Sequence, residues 1–344
     1  MKIFIFIFLT LLSLNTLQAD KILKIASYNV ENLFDLHKSG HEYKEYVPFS
    51  KSKWNKKNYN VKLENIAKVI SEIDADIIAL QEVESLQALK DLRKKIKELG
   101  TYYQYYTITT IKSRSSIHLA LLSKYPFNYA KELSVTSHRK FRNILEVKYT
   151  INSAVFYIFI NHWKAKSGPE SQRIISAKVL RKRLNQLGHD RGHILLGDFN
   201  SDVNEHILFK RKRRHNDTYG RTGINHILKT IEDDKLVTLN DLKNSNRFYL
   251  NLWNDSKQIN QWTHNYRGQK EALDSIIISP GLFDGDAIDY IEGSFQRYEA
   301  EYLFSNRKKT KPYRWQMSRK KPKVHKAKGY SDHLPIFAKF RIKQ

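Results

Sequence analysis

The residues Leu195 and Leu196 lead into Asp198 and Asn200, which are separated by one position. On a strand, residues two positions apart point to the same side, so this carboxylate and this amide could act on one object. Aspartate supplies charge and accepts protons, whereas asparagine supplies an NH₂ donor and a carbonyl that does not titrate. A phosphate in a metal-assisted reaction needs both. The motif DFNS alone is equally typical of an ordinary turn.

Five further polar clusters stand at one end of an apolar run. They are SYNVEN at 27–32, QE at 81–82, NHWK at 161–164, LD at 273–274 and SDH at 331–333. Sites in layered α/β proteins assemble at strand ends and their loops. Each cluster also has a structural interpretation: Glu82 could cap a helix and His162 could be a core histidine. Asp274 could start a strand from a turn, and Ser331 with Asp332 could cap a loop. The occurrence of all six in one chain favours a shared site.

Strands and helices must hold these clusters in place, and the sequence predicts both. The strand candidates are 22–30, 77–83, 118–123, 144–151, 155–162, 193–196, 275–279 and 334–342. Several are nearly unbroken apolar runs, which is typical of strands covered on both faces. Apolar residues at three- and four-residue steps predict helices over 63–73, 86–99 and 170–187. We therefore predict one α/β domain with a sheet-on-sheet core and helices outside.

The chain has 344 residues, with 60 Lys and Arg against 35 Asp and Glu, which gives a formal net charge of +25. This excess favours polyanionic partners, although it could also serve only solubility. Positive charge concentrates at 210–214 (KRKRR) and at 307–328, where eleven Lys and Arg stand without an acid. We predict exposed basic loops near 205–223 and 305–329. Such loops are either solvated surface or, with aromatics such as Tyr313 and Trp315, surfaces that grip phosphates and stack on bases.

The N-terminus predicts export. Lys2 precedes a mostly apolar stretch over 3–14, and Ala19 ends a plausible cleavage site. We expect a signal peptide over 1–19, a catalytic domain over 20–344 and a periplasmic or extracellular protein; an uncleaved anchor or a buried strand is the alternative. The sequence contains no cysteine, which excludes disulfides, thiolate metal sites and cysteine nucleophiles.

The six clusters in this order resemble the motif series of the endonuclease/exonuclease/phosphatase superfamily, which includes deoxyribonuclease I, exonuclease III, bacterial sphingomyelinases and inositol phosphatases. The motifs read SYNVENLFD, ALQEVES, NHWKAKSG, LLGDFNSD, LDSIIIS and SDHLPI. The similarity runs from about Lys21 to the C-terminus. It implies a four-layer αββα sandwich, two packed mixed sheets flanked by helices, and phosphoester hydrolysis with a divalent cation.

The resemblance also implies a metal site. Glu82 would be the main ligand, with Asn29 beside it and Asp332 joining the metal environment. The ion would be Mg²⁺, with Mn²⁺ or Ca²⁺ left open. Carboxylate and amide oxygens suit such hard ions.

Five residues would form the catalytic set that the resemblance implies. Asp198 and Asn200 would hold the nucleophilic water and the scissile phosphate. His333 would face the phosphate, oriented by Asp274, and His162 would be the second histidine of the deoxyribonuclease I branch. Which group acts as the base stays open.

Four more residues are candidates for substrate binding. Arg142, in FRNILEVKY, matches an arginine that contacts phosphate in the deoxyribonuclease I branch, and Lys164 follows His162 in NHWK. Tyr266 and Arg267, in QWTHNYRG, could meet a base or a sugar. The alternative for this last stretch is an ordinary hairpin that turns at Gly268.

Three functions remain open on the sequence. The first is an exported, sequence-tolerant endonuclease acting on DNA or RNA, monomeric and without stable membrane insertion; the endonuclease mode rests on His162, where exonuclease III relatives have tyrosine. The second is a phospholipid phosphodiesterase of the sphingomyelinase kind, which would need an exposed apolar hairpin. The third is a non-catalytic nucleic-acid-binding protein, against which the intact motif residues argue.

Overall fold

The computed structural model describes residues 20–109, 115–138, 141–209 and 215–343. Its strands are β1 (Lys21–Leu33), β2 (Ile77–Val83), β3 (Tyr105–Ile108), β4 (His118–Ser123), β5 (Tyr129–Leu133), β6 (Ile144–Ile151), β7 (Ala154–His162), β8 (Gly192–Asp198), β9 (Ile231–Glu232), β10 (Lys235–Leu236), β11 (Leu250–Asn251), β12 (His264–Tyr266), β13 (Gln269–Glu271), β14 (Asp274–Ile278), β15 (Ile288–Tyr290), β16 (Gln296–Arg297) and β17 (Ile336–Ile342). Its α-helices are α1 (Lys56–Ile73), α2 (Leu86–Glu98), α3 (Glu170–Leu187), α4 (Glu205–Leu208) and α5 (Leu239–Asn244). The predicted signal peptide and the basic run at 210–214 lie outside the described residues.

Most of these strands belong to two mixed sheets. The first has the order β15-β17-β1-β2-β4-β3, with β16 also paired to β17, and the second has the order β11-β14-β8-β7-β6-β5. In each sheet one central pair is parallel, β1 with β2 and β7 with β8. Parallel neighbours need a crossover connection, and α1 and α3 provide it. The prediction of two mixed sheets is confirmed.

The alternation of side chains along the strands creates three apolar layers. On β1, Leu23 and Ile25 face a core shared with the second sheet, whereas Ala26 and Tyr28 face a core beneath α1 and α2. The outer face of the second sheet packs against α3 in a third core. The resulting order of layers is helix, sheet, sheet, helix, as the sequence predicts.

The predicted elements match the observed ones, with differences at their ends. Helix α1 begins at Lys56 rather than at residue 63, because the Asn55 side chain accepts a hydrogen bond from Asn58 N at 3.2 Å and caps it. Edge strands β3 and β5 were not predicted, since they are short and lack a continuous apolar run. No helix within the described parts of the chain has the length and apolar character needed to span a membrane.

The second basic segment presents its cations at the surface, as its composition predicts, but it is not a simple solvated loop. Residues 307–328, called here the basic hairpin, fold back on themselves through a bridge between Met317 and His325 and a hydrogen bond from Ser318 N to Val324 O at 2.8 Å. Trp315 is 1% exposed and packs edge-on against Trp54. A buried indole cannot stack on a base, so that expectation for Trp315 was wrong.

Candidate active site

Three of the predicted catalytic residues form a single row across the second sheet. In the parallel pair of β7 and β8, His162 stands opposite Asp198, and in the antiparallel pair of β8 and β14, Asp274 stands opposite Asp198. All three are buried. Neighbouring strands therefore align one histidine and two carboxylates, and Asp198 stands at the centre of the row.

The geometry around Asp198 depends on two unusual backbone positions. Gly197 has φ +126°, and a Cβ there would lie 2.1 Å from Asn161 O, so only glycine allows β7 to come this close. Strand β8 ends at Asp198, and Asn200 follows in the left-handed region at φ 47°. Strand alternation therefore does not align the two side chains, contrary to the sequence argument. Instead, Asp198 Oδ1 accepts from Asn200 N at 2.8 Å, and Asn200 Nδ2 donates to Trp163 O at 3.1 Å.

The first sheet contributes Asn29 and Glu82 from adjacent parallel strands. The β1–β2 register is interrupted after Asn29, and Glu82 takes a left-handed φ of 68°. For a glutamate within a strand, this conformation costs about 1–3 kcal/mol and must be held by its surroundings. Asn29 Nδ2 donates to Glu82 Oε1 at 3.3 Å, and Asn32 N donates to Glu82 Oε2 at 3.0 Å. This irregularity keeps the Glu82 carboxylate beside Asn29.

His333, just before β17, is fixed from several sides. Its Nδ1 lies 2.7 Å from Asp274 Oδ2, and because a carboxylate accepts, Nδ1 carries the proton in this pair. Its backbone N–H donates to Ser331 Oγ at 3.1 Å, and Ser331 Oγ donates to Asn29 O at 2.6 Å. The ring of His264 lies 4.7 Å from the His333 ring, centroid to centroid. The remaining ring nitrogen, Nε2, faces the row of the second sheet.

The two sets of residues meet at Asp198 Oδ2. Asn29 Nδ2 lies 3.2 Å from it, His162 Nε2 3.4 Å and His333 Nε2 3.9 Å. His162 Nε2 is also 3.8 Å from Glu82 Oε1. Residues from both sheets, far apart in sequence, thus line one cleft.

Burial separates the protonation behaviour of the two histidines. It lowers the pKa of His162 well below its ordinary value, and the positive charge of Arg142 adds to this effect. Burial also opposes protonation of His333, but the charge and hydrogen bond of Asp274 hold the pKa of His333 well above its usual range. The cleft therefore contains one cationic and one neutral imidazole at neutral pH, an arrangement suited to acid and base roles.

Burial disfavours the charged form of two carboxylates in the cleft. Burial raises the pKa of Glu82, with a further contribution from the Asp332 charge, and raises the pKa of Asp198 to about 7. A divalent cation would relieve this repulsion, and the oxygen donors suit a hard ion. Asp198, Asp274 and His333 place one ligand atom each within 4.8 Å of one another. Because Asp274 already holds His333, we favour Glu82, with Asn29 and Asp332 nearby, as the metal side of the cleft.

The guanidinium of Arg142 donates two hydrogen bonds to backbone carbonyls, whereas the resemblance implies that it contacts phosphate. Its Nε donates to His162 O at 2.9 Å and its Nη2 to Trp163 O at 2.8 Å. One edge of the guanidinium therefore holds the end of β7 in place. Its charge still acts on Glu82 and Asp198, and the phosphate contact that the resemblance implies stays a prediction.

Sequence reasoning missed the partner of Asp332. Arg314 Nη2 lies 3.2 Å from Asp332 Oδ2, and Arg314 Nε donates to Glu31 Oε1 at 2.9 Å. Burial is the main cause that raises the pKa of Glu31 to about 7. Glu31 was visible in the SYNVEN motif, and Arg314 was hidden within a charge run. Together they bring the basic hairpin into contact with the cleft.

The other substrate-binding candidates lie at the rim. Tyr266 and Arg267 belong to the β12–β13 hairpin, which turns at Arg267 and Gly268 as the structural alternative predicts. Tyr266 is 57% exposed and, with Asn200, lines a pocket of about 500 Å³. The Arg267 guanidinium lies 5.2 Å from the Tyr266 ring. Lys164 is half-buried, and its charge reaches His162. The structure thus places Tyr266 near Asn200 but gives Arg267 no contact with the predicted catalytic residues.

Residues 24–242 match the model of the Endonuclease/Exonuclease/phosphatase family. The chain belongs to this family. No curated protein sequence matches it.

Solved structures of endonuclease/exonuclease/phosphatase proteins share the fold. A family protein from Bacteroides thetaiotaomicron superposes with a TM-score of 0.56 at 14% identity, over 95% of this chain and 100% of that one. TDP2 from D. rerio, complexed with a single strand DNA product, gives 0.57 at 12% identity, over 93% and 99%. A mannosyl-6-phosphatase from B. thetaiotaomicron gives 0.52 at 14% identity, over 92% and 99%. At such identities the likeness establishes the fold, and family membership makes the chain a phosphoesterase.

Proposed function

We propose that this protein is an exported endonuclease that hydrolyses phosphodiester bonds of DNA, with little sequence preference, with the help of a divalent cation such as Mg²⁺. The observation that carries the hydrolytic part is the position of His333 between two carboxylates. Its Nδ1 lies 2.7 Å from Asp274 Oδ2, and its Nε2 lies 3.9 Å from Asp198 Oδ2. This pair places a cationic N–H donor opposite a carboxylate across the cleft. The DNA substrate and the export rest on charge and on the N-terminal sequence.

The side chains around the cleft divide the work of hydrolysis. His333, cationic and fixed by Asp274, donates a hydrogen bond from Nε2 to a phosphate oxygen. Asp198, close to both histidines, orients the attacking water and accepts its proton. Neutral His162 is a second acceptor beside it. Positioned acid–base groups of this kind contribute roughly 10²–10⁴-fold in rate.

A metal ion would be held on the Glu82 side of the cleft. Asp332 is the neighbouring oxygen donor, and Arg314 competes for it. Asn29 turns its Nδ2 towards Glu82 Oε1, so in this arrangement it orients the carboxylate. When bound, a divalent cation neutralises negative charge that develops on the phosphate. The protein supplies the buried carboxylates and the hydrogen bonds that orient them.

The preference for nucleic acid follows from charge. A net charge of +25 attracts a polyanion through the release of its counterions. A sphingomyelinase-like lipid phosphodiesterase would need exposed apolar residues to enter a bilayer. In the basic hairpin, the aromatic residue best suited to this, Trp315, is buried.

One assay panel tests the proposal. The purified protein is incubated with supercoiled plasmid, RNA, sphingomyelin and mannose 6-phosphate, with Mg²⁺ and with EDTA. We expect plasmid nicking that EDTA abolishes. Turnover of sphingomyelin or of the sugar phosphate without plasmid nicking would contradict the nuclease assignment and retain only the phosphoesterase class.

A further inference from the structure

The basic hairpin is joined to the cleft at two places. Arg314 contacts Asp332 and Glu31 at the metal side. Asn265 Nδ2 donates to Thr310 O at 2.7 Å and ties the hairpin to strand β12. The opposite face of β12 carries Tyr266, which lines the pocket beside the catalytic residues. The hairpin therefore continues the wall of the cleft outward.

The hairpin is held in a fixed shape by buried contacts. Trp315 Nε1 donates to His325 Nδ1 at 2.7 Å, and His325 N donates to Ser52 O at 2.9 Å. Gly329 has φ +93°, and a Cβ there would lie 2.0 Å from Arg314 O, so the two arms approach too closely for any side chain. A positively charged surface that is already ordered loses little conformational freedom when a ligand binds.

The positive charge of this surface is largely uncompensated. Of its eleven Lys and Arg, ten are exposed and only Lys309 is half-buried. Among the described residues, two of the exposed ones lie within 4 Å of an acid, Arg314 and Lys323. Within the part of the chain that the structure describes, eight exposed cations have no acidic partner: Arg307, Lys308, Lys311, Arg319, Lys320, Lys321, Lys326 and Lys328. Such a density of free charge on a rigid element favours a ligand with a regular series of negative charges.

The side chains of the basic hairpin favour a nucleic acid over a membrane as the ligand. Membrane insertion requires apolar residues pointing outward, but Trp315 and Pro312 are buried, and Tyr313 and Met317 are half-buried. The hairpin therefore presents cations at its surface and keeps its largest apolar side chain, that of Trp315, inside. This pattern fits the backbone of a nucleic acid strand, which carries one phosphate per nucleotide.

We propose that the basic hairpin is a binding surface for the phosphate backbone of nucleic acid on one side of the cleavage point. The inference rests on the proposed nuclease function and adds to it the route that the strand takes out of the cleft. Arg314 marks the point where the route leaves the catalytic residues. The cations beyond it bind successive phosphates without contacting bases, so the surface adds affinity but no sequence preference.

The test measures DNA binding at several salt concentrations in a His333→Ala background, which prevents cleavage. One variant removes four charges from the hairpin, Lys320→Gln, Lys321→Gln, Lys326→Gln and Lys328→Gln. A matched control removes four exposed charges from the outer helices, Lys90→Gln, Lys94→Gln, Lys178→Gln and Lys182→Gln. Both proteins have the same net charge, so only the position of the charges differs.

We expect the hairpin variant to flatten the slope of log K against log salt by about two to four, since each phosphate contact contributes about 0.7–0.9. Its affinity should fall about tenfold or more at moderate salt, whereas the control should stay close to the parent. Equal losses in both variants, or no loss in either, would overturn the proposal. Unchanged DNA binding together with lost binding to phosphatidylglycerol vesicles would assign the surface to membranes instead.

A second measurement separates this proposal from the proposed function. The same substitutions are made in the active protein and assayed on bis(4-nitrophenyl) phosphate, which is too small to extend from the cleft to the four substituted lysines. We expect unchanged turnover of this substrate and slower plasmid nicking. If the parent protein cleaves neither substrate, the nuclease function fails while the binding test of the hairpin still stands by itself.

Discussion

The cleft and the basic hairpin are adjacent and both highly charged, yet they hold their charges in opposite ways. In the cleft, Glu82, Asp198 and His333 are largely buried and lie within 4 Å of other polar groups. In the hairpin, most cations are exposed and have no acidic partner in the described ranges of the chain. Burial shifts protonation and fixes direction, which chemistry needs. Exposure leaves a charge mobile, so it can attract a polyanion without a fixed geometry. Salt screens this attraction. The comparison predicts large, specific effects in the cleft and graded, salt-dependent effects in the hairpin.

The largest effect is expected for His333→Ala. The substitution removes the cationic donor that Asp274 orients, and turnover of plasmid and of bis(4-nitrophenyl) phosphate should fall by about 10²–10⁴-fold. DNA binding at low salt should be retained, because the hairpin charges remain. Steady-state kinetics and a binding isotherm on the same preparation check both statements. Full activity in this variant would remove His333 from the reaction.

A smaller but still large effect is expected for Glu82→Gln, which keeps the shape and removes one negative charge. Loss of the charge should weaken Mg²⁺ binding about 10–100-fold or more, since even groups that only orient metal ligands contribute that much. Calorimetric titration with Mg²⁺ measures the affinity directly. Asp91→Asn, on helix α2, removes a carboxylate outside the cleft and serves as the control. If Glu82→Gln binds Mg²⁺ as tightly as the parent, the metal lies elsewhere in the cleft.

The rim between the two regions should show an intermediate effect. Tyr266→Ala removes an exposed ring beside the pocket near Asn200, and loss of a base-stacking contact should lower kcat/KM for single-stranded DNA about five- to hundredfold. Arg267→Ala, at the turn of the same hairpin, should change it less, because Arg267 does not line that pocket. Equal effects from both substitutions would indicate a general role of the β12–β13 hairpin. No effect from Tyr266→Ala would exclude stacking at this position.

The sequence predicted the residues that meet in the cleft better than the geometry that brings them together. Long apolar runs marked the central strands, and polar clusters at their ends marked Glu82, Asp274 and His333. The left-handed backbone of Glu82 and Asn200 was not predictable, because it is held by contacts such as Asn32 N to Glu82 Oε2. Such contacts join segments that are distant in the chain, and local propensity carries no information on them.

In the basic hairpin, the sequence predicted the charge but not the contacts of individual residues. Its composition predicted attraction to polyanions but also a solvated loop with an exposed Trp315. The indole is buried because Trp54 and His325 form a slot for it, and that slot exists only in the folded protein. Arg314 looked like one cation among eleven, although it alone in this segment contacts Asp332 among the described residues. Charge density is readable from sequence, whereas the partner of a given charge is not.

Burial should also shift protonation far from the cleft. His193 lies on β8 beneath the outer face of the second sheet, fully buried, with Nδ1 2.9 Å from the Tyr249 hydroxyl. Burial lowers the pKa of His193 from 6.5 to about 3. Between these two values the unfolded chain binds a proton that the folded chain does not, so the free energy of unfolding should decrease as the pH falls below about 6.5. One such proton contributes about 1.4 kcal/mol per pH unit.

His193→Asn keeps a polar atom near Tyr249 and removes the titrating ring. Its free energy of unfolding, measured by urea titration between pH 4.5 and 6, should depend on pH less steeply than that of the parent by about one proton. His41→Asn is the control, since it removes an imidazole that is exposed in the folded protein and hydrated in both states. If His193→Asn leaves the slope unchanged, burial at this position does not keep the ring neutral, and the same reasoning about His162 in the cleft would lose its support.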